Sequence, residues 1–561
     1  MADMTMGRTG TQGASVSLPL IAVAAALLAF LGMEVTAFVS TGGHFEYPLD
    51  DVYIHLSIAE QITLGGYGIN TGEYASAASS PLYPFLLTPF AGTEAQRFLP
   101  LLWNTLALIL AAFLWGRTLV LSGYDRMTRI WPGILLAALG PLAVNAYGLA
   151  YAGMAHTLHL AAALAIICGL TRFVVEGRIG AALVLGVLLS PAFRLEGLAL
   201  ALSAAGMVAL LGRWRAGLLL GFAALLPVAT FAGFLVALGL EPLPNSVAAK
   251  LAVAAGEDYG LSTRIVATLM LNLEKLQGWV VLGLSILSIA AAPILGREGR
   301  ADLRLYCYVI GFSGLAHMGL GHVGWLNRYE IYIFAALVLG LAAILGLAGQ
   351  GSGVSSRGRA AIALPLAVMT ALAGGFYAHD AATRVVWAPQ LLWQLHAQMA
   401  RFTREYVEAP VAVNDIGHVS WRNPNYVLDL WGLASDEARH LRLEGEDPRW
   451  AGTLAARAEV GLAMVLDSWI GQHTGEDWVR LGELAVATEP SRLGDWSISF
   501  YATSPDEVPA LLEALERFRP TLPEGVEFRY EGEVKLDEAG LGSTRRLAWL
   551  GALEKETGAG R

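Results

Sequence analysis

Two adjacent carboxylates, Asp50 and Asp51, stand in the stretch "EYPLDDVYIHLSIAEQITLGGYGIN", residues 46–70, which contains no lysine or arginine. A carboxylate beside a hydroxyl nucleophile can take its proton, a general-base role that contributes ~10²–10⁴-fold to a rate. An Asp at a helix start can equally cap the helix and match its dipole, with no chemistry at all. Val52, Leu56, Ala59 and Ile62 fall near one helical face, while Asp51 and His55 share another at i, i+4 spacing. The pattern predicts an amphipathic helix with Asp50 at its N-cap, lying on a membrane surface with its polar face toward a cavity.

Charge of the opposite sign is available further along. Arg194, Lys250 and Arg328 each adjoin apolar runs, and Lys250 is the first of four lysines (Lys250, Lys275, Lys535, Lys555) in a chain that otherwise uses arginine. A compact ammonium or a guanidinium suits an anionic phosphate, and snorkelling to lipid headgroups is the plainer role for either. Arg194 and Glu196, in "FRLEG", fit an ion pair that orients a site. Five histidines (His55, His156, His159, His317 and His322) adjoin or enter apolar runs. If a divalent ion (Mg or Mn) binds, Asp51, His55 and His156 are the candidate ligands, yet no set has a recognisable ligand spacing. Satisfied histidines beside a polar cavity are the plainer reading. Trp421 and Trp431 fit either core packing or stacking on a glycan.

These residues need a scaffold, and composition defines it. The chain has 561 residues, is 55% hydrophobic and only 15% charged, with mean hydropathy +0.52. That excludes an ordinary soluble globule. The net charge of −10 says nothing about nucleic acid, and with no basic patch in the sequence nucleic acid is not an expected partner. About eleven apolar runs are long enough to be spans of a ~30 Å core. They lie near 15–38, 98–117, 131–147, 150–171, 179–193, 196–212, 216–240, 277–295, 303–324, 330–348 and 360–377. The two around Pro191 are short, as in a proline-broken pair. The first run is too long for a signal h-region and is expected to be a retained anchor. Cys168 and Cys307 sit inside apolar runs and suggest no disulfide.

Arginines set the orientation. One set of loops carries Arg117, Arg126, Arg129, Arg172, Arg178, Arg213, Arg215, Arg297, Arg300, Arg304, Arg357 and Arg359, and the alternate set far fewer. The positive-inside bias predicts a cytoplasmic N-terminus and an outer-face acid loop, 39–97, with a second outer loop at 241–276. Residues 1–377 then form the transmembrane domain. An odd span count sends 378–561 to the outer side, where β-rich runs such as "APVAVND", "NYVLDLWGL" and "WSISFYA" alternate with helical patterns and predict an extracytoplasmic α/β domain.

Several ordered pieces then carry a family resemblance. "LDDVYIHLSIAEQITLGGYGINTGEYASAASSPLYPFLL", "YAGMAHTLHL", "FRLEGLAL", "EPLPNSVAAK", "WLNRYE" and "VAVNDIGHVSWRNPNYVLDLWGLAS" are spread in order between residues 49 and 435, over most of the chain's length. Together they resemble the GT-C membrane glycosyltransferases, and within them the arabinofuranosyltransferase-like group. Ala155 stands where that group usually has glutamate, Ser57 where arginine is common, and Ser246 where the motif has threonine.

The resemblance implies a GT-C fold of about eleven transmembrane helices in a bacterial inner (plasma) membrane, with the C-terminal domain periplasmic. It implies transfer of a sugar (arabinofuranose, or another pentose or hexose) from a polyprenyl-phosphate donor to an acceptor glycan, lipid or protein, with inversion. Asp50 would be the general base and Asp51 would position acceptor or metal. Lys250, Arg328, Arg194, Glu196, His55 and Asn245 would hold substrate, with membrane lipid around them. Metal dependence stays open. The rival class is a lipid or glycan transporter, since broken spans and intramembrane charges suit a carrier.

Overall fold

The computed structural model describes residues 17–245, 247, 260–296, 299–350, 354–445, 447–486 and 497–531. Among the described residues, eight helices are long and apolar enough to cross a membrane by length and composition. The expected count of eleven is not reached. Ala181–Phe193 and Leu198–Leu210 have only 13 residues each, about 20 Å at 1.5 Å per residue. Ala301–Leu320, with Asp302, Arg304 and His317, falls outside the eight as well.

Two helices form the centre of the bundle. Ile331–Ala348 is 94% buried over its apolar window and His156–Glu176 is 78% buried, against 22% for the peripheral Trp214–Ala237. Small residues permit the close approach. A Cβ at Gly169 would meet Leu183 Cα at 2.7 Å, and one at Gly186 would meet Ile166 N at 2.7 Å. The short helix Ala181–Phe193, with Pro191 inside, thus lies directly on His156–Glu176. It ends where Arg194 turns extended (φ −151°, ψ 129°) before the next short helix begins.

The long helix Ser356–Thr383 runs through the expected division at 377/378. A six-stranded sheet follows, built from β1 (Val411–Val413), β2 (Val427–Asp429), β3 (Leu462–Val465), β4 (Val479–Val486), β5 (Ser497–Ala502) and β6 (Val526–Tyr530) in the order β2-β1-β3-β5-β4-β6. β1 pairs in parallel with β2 and with β3. β4, β5 and β6 are antiparallel to their neighbours. Both faces of the parallel half are covered. Val411 and Val413 join a core with Leu462, Phe500 and Leu515, while Ala412 packs with Leu428, Trp450 and Leu454 on the other side. Burial on both faces is why these strands read as unbroken apolar runs.

The acid-loop helix spans Asp51–Thr63, as its spacing predicts. It is not a surface helix, however. Every residue from Val52 to Ala59 is buried, because the four-residue helix Gly417–Ser420 after β1 lies against it. Ser57 and Ser420 hydroxyls meet at 2.8 Å, and Ile54 and Ile58 belong to the same core as β1.

Candidate functional site

Where the bundle, the acid loop and the sheet meet, a cavity of about 200 Å³ opens. Asp50, Asp51 and His55 line it from the loop helix, and Arg194 from the break between the short helices. Lys275, Arg328 and Tyr329 line it from the bundle, and Asn414, Asp415, Trp431 and Trp469 from the sheet side. The sheet contributes through segments just beyond the carboxyl ends of β1, β2 and β3. Chain connections leave β1 and β3 in opposite directions, and in open α/β sheets the crevice at such a switch point is where ligands bind. Asn414 joins the two strand ends by accepting from Leu466 N at 2.8 Å.

The acids differ in their surroundings. Asp50 occupies the N-cap position of the loop helix, but its side chain makes no bond to that helix. Its carboxylate instead accepts from the backbone N–H of Gly417 at 2.6 Å and of His418 at 2.8 Å. It therefore caps the helix of another element. Burial pushes its carboxyl up, with Asp415 adding to the rise, while His396 and the His418 N–H pull it back. Asp51 pairs with Arg328 at 2.5 Å and keeps 36% of its side chain exposed. Asp415 accepts on Oδ2 from Asn414 Nδ2 at 3.1 Å and lies 3.4 Å from His396 Nε2. Burial works against the His396 cation, but Asp415 and Asp50 together hold its pKa above the usual imidazole range.

The cations come from separate segments. Arg328 follows a left-handed turn in which Gly324 (φ +93°), Trp325 (+50°), Leu326 (+55°) and Asn327 (+53°) succeed one another. Such a backbone costs roughly 1–2 kcal/mol per non-glycine residue, and strain of this kind persists only where surroundings over-determine it. Here they do. Arg328 N bonds Gly324 O at 3.2 Å, Gln277 donates to Asn327 at 2.8 Å and Asn327 donates to Asp380 at 2.6 Å. Arg194, 2% exposed, donates to Ser79 at 2.8 Å and Glu196 at 2.7 Å. Both guanidinium groups flank the Tyr329 ring, Arg194 at 5.6 Å and Arg328 at 5.2 Å. Lys275 donates to Val323 O at 2.9 Å at the same wall.

The other expected residues divide. His55 and His156 line the cavity with Asp51. Yet among the described residues no group of three or more His, Cys, Asp or Glu comes together to hold a metal. Glu196 and Asn245 are outside the cavity wall. Glu196 acts through Arg194, and Asn245 exchanges hydrogen bonds with Ser76 at 3.0 and 3.1 Å. Lys250 and Ser246 lie outside the described residues. Trp421 is core, 1% exposed, with its indole N–H on Gln96 at 2.9 Å. Trp431 instead lines the cavity, 4.5 Å from Trp469 and with Arg442 4.0 Å over its ring.

Sequence reasoning missed Asp415, Lys275, Tyr329 and Trp469 as site residues. "VAVND" carried a usable signal, since an acid just after a buried parallel strand stands where such sheets bind ligands.

Fold and site define a polytopic helical protein with, among the described residues, eight apolar helices of membrane-crossing length and a sheet that closes an acid- and cation-lined cavity. Residues 387–501, the region that closes it, match a family described as a domain of unknown function (DUF8728). No curated protein matches the chain. Among solved structures, the Archaeoglobus fulgidus oligosaccharyltransferase in its apo form is similar at 12% identity and a TM-score of 0.47. The likeness covers 89% of this chain and 75% of that one. The same protein in complex with zinc and sulfate is similar at 11% identity and a TM-score of 0.43, over 91% and 75%.

Proposed function

We propose that the protein is a membrane glycosyltransferase that moves a sugar from a polyprenyl-phosphate donor to an acceptor hydroxyl at the outer membrane face. The observation that carries this reading is the pairing, in one cavity, of three carboxylates with Arg194, Lys275 and Arg328. Transfer needs both signs. As the acceptor oxygen bonds to the anomeric carbon, the bond from that carbon to the phosphate oxygen breaks and its electron pair leaves on the phosphate. The cations offset that growing charge, most strongly where the site excludes water. The acceptor proton goes to a carboxylate. Attack opposite the departing phosphate inverts the anomeric carbon. The cavity's place at the end of the bundle, against apolar helices, suits a donor that arrives through lipid. Under this reading the sheet lies on the periplasmic side, and arabinofuranose, another pentose or a hexose is the transferred group.

The test uses purified full-length protein, radiolabelled polyprenyl-phosphate pentoses and hexoses, and alkyl glycoside acceptors. Labelled product from wild type, lost in Arg328→Gln, supports the enzyme. Donor carried across vesicles with no new glycosidic bond would point to a carrier instead.

A further inference from the structure

Three carboxylates line the cavity, and they are not equally available to an incoming hydroxyl. Both Asp50 oxygens accept backbone N–H bonds, from Gly417 and His418, at 2.6 and 2.8 Å. Each Asp50 oxygen is thus already engaged by a short charge-assisted bond, which makes it the poorer acceptor of a proton. Asp51 is committed on Oδ2 to Arg328. Asp415 is 25% exposed at its side chain. Its two hydrogen bonds fall on one oxygen, Oδ2, and Oδ1 has no hydrogen-bond partner among the described residues. It stands just beyond the carboxyl end of β1, at the switch point with β3. Asn414, which fixes the strand end on Leu466, also donates to it.

We propose that Asp415, rather than Asp50, takes the proton from the acceptor hydroxyl, while Asp50 fixes the sheet's first helix onto the acid loop. The assignment rests on the glycosyltransferase reading. In the step, the acceptor O–H proton passes to Asp415 Oδ1 as the acceptor oxygen bonds to the anomeric carbon, and the electron pair of the broken bond leaves on the donor phosphate. His396 and Asn414 hold Oδ2, so the free oxygen faces the acceptor. Trp431 and Trp469, on the same side of the cavity, give that acceptor an aromatic wall.

The experiment compares full-length Asp415→Asn and Asp50→Asn with wild type, using radiolabelled polyprenyl-phosphate pentoses and hexoses and alkyl glycoside acceptors. Asp415→Asn is expected to lower kcat by ~10²–10⁴-fold, with acceptor KM within about twofold. Near-wild-type kcat in Asp415→Asn, with the large loss in Asp50→Asn, overturns the assignment and leaves the glycosyltransferase reading standing. A second arm needs no turnover. Carbodiimide coupling to glycine ethyl ester, mapped by mass spectrometry, is expected to label Asp415 and spare Asp50. Asp50→Ala is expected to speed amide exchange at Gly417 and His418, with no such change in Asp415→Asn. Labelling of Asp50 with Asp415 spared overturns the division of roles. Wild type that transfers no sugar overturns the function and the base together, and the labelling arm still decides which carboxylate is open.

Discussion

Gly417→Ala is expected to detach the sheet's first helix from the acid loop. The backbone at Gly417 is not left-handed, so alanine meets no conformational penalty there. The obstacle is contact. A Cβ would stand 2.0 Å from the Asp50 carbonyl oxygen and 2.7 Å from Asp50 Oδ2. Carbon–oxygen contacts settle near roughly 3.3 Å, so the two backbones must part by about 1 Å. At that separation the 2.6 and 2.8 Å bonds from Gly417 and His418 to Asp50 leave hydrogen-bond range. Each is a bond to a charged group, worth roughly 1.5–3 kcal/mol. Their joint loss is therefore roughly 3–6 kcal/mol, or two to four decades in the local opening equilibrium. Hydrogen exchange on full-length protein in nanodiscs reads this directly over residues 411–421. Gly375→Ala serves as control, since its Cβ meets nothing within 4 Å. Wild-type exchange in Gly417→Ala would refute the reasoning, because the contact leaves no room for a methyl group.

Trp421→Ala should lower the thermal midpoint through a loss of roughly 3–5 kcal/mol, whereas Trp431→Ala should leave the midpoint near wild type and raise acceptor KM in the transfer assay. Arg328→Lys should retain part of the activity and Arg328→Gln almost none, since lysine keeps the charge for Asp51 and loses the fork. Glu46 supplies the pH dependence. Burial pushes its carboxyl up, yet His418 at 3.4 Å and Arg97 at 2.9 Å hold it down to about 2. A lowered pKa contributes stability that is present above the ordinary glutamate value and lost as pH falls through the folded one. Unfolding of wild type should therefore ease from about pH 4.5 toward pH 2, and Glu46→Gln should flatten that slope while weakening the protein at neutral pH.

The helices were legible because burial in a bundle and insertion in lipid both demand long apolar runs. The loop helix was legible from its spacing, and its membrane-surface setting was not. Period 3.6 marks a buried face, but it does not say that an element hundreds of residues away will cover the polar one. Asp50 illustrates the same gap. Position alone made it a cap for its own helix, while the structure has it cap Gly417–Ser420. Arg328 was visible as a charge beside an apolar run. The left-handed turn that aims it was not, because Trp325, Leu326 and Asn327 carry no glycine signal for positive φ. Asp415 was hidden by the opposite bias, since an acid after a short strand reads as a turn until the strand order is known.

The bond from Gly417 to Asp50 joins positions 367 residues apart. At roughly 5–20 residues per second, a ribosome needs on the order of 20–70 s to travel from one to the other. In that interval it makes all but the first of the eight apolar helices. Throughout it the acid loop has no lid, and the nascent chain carries the Asp50 carboxylate without the amides that will donate to it. The cavity is thus a late product of biogenesis, closed only once the chain has been made through Trp469. A nascent or truncated protein with all eight of the described apolar helices inserted would still hold only half a site.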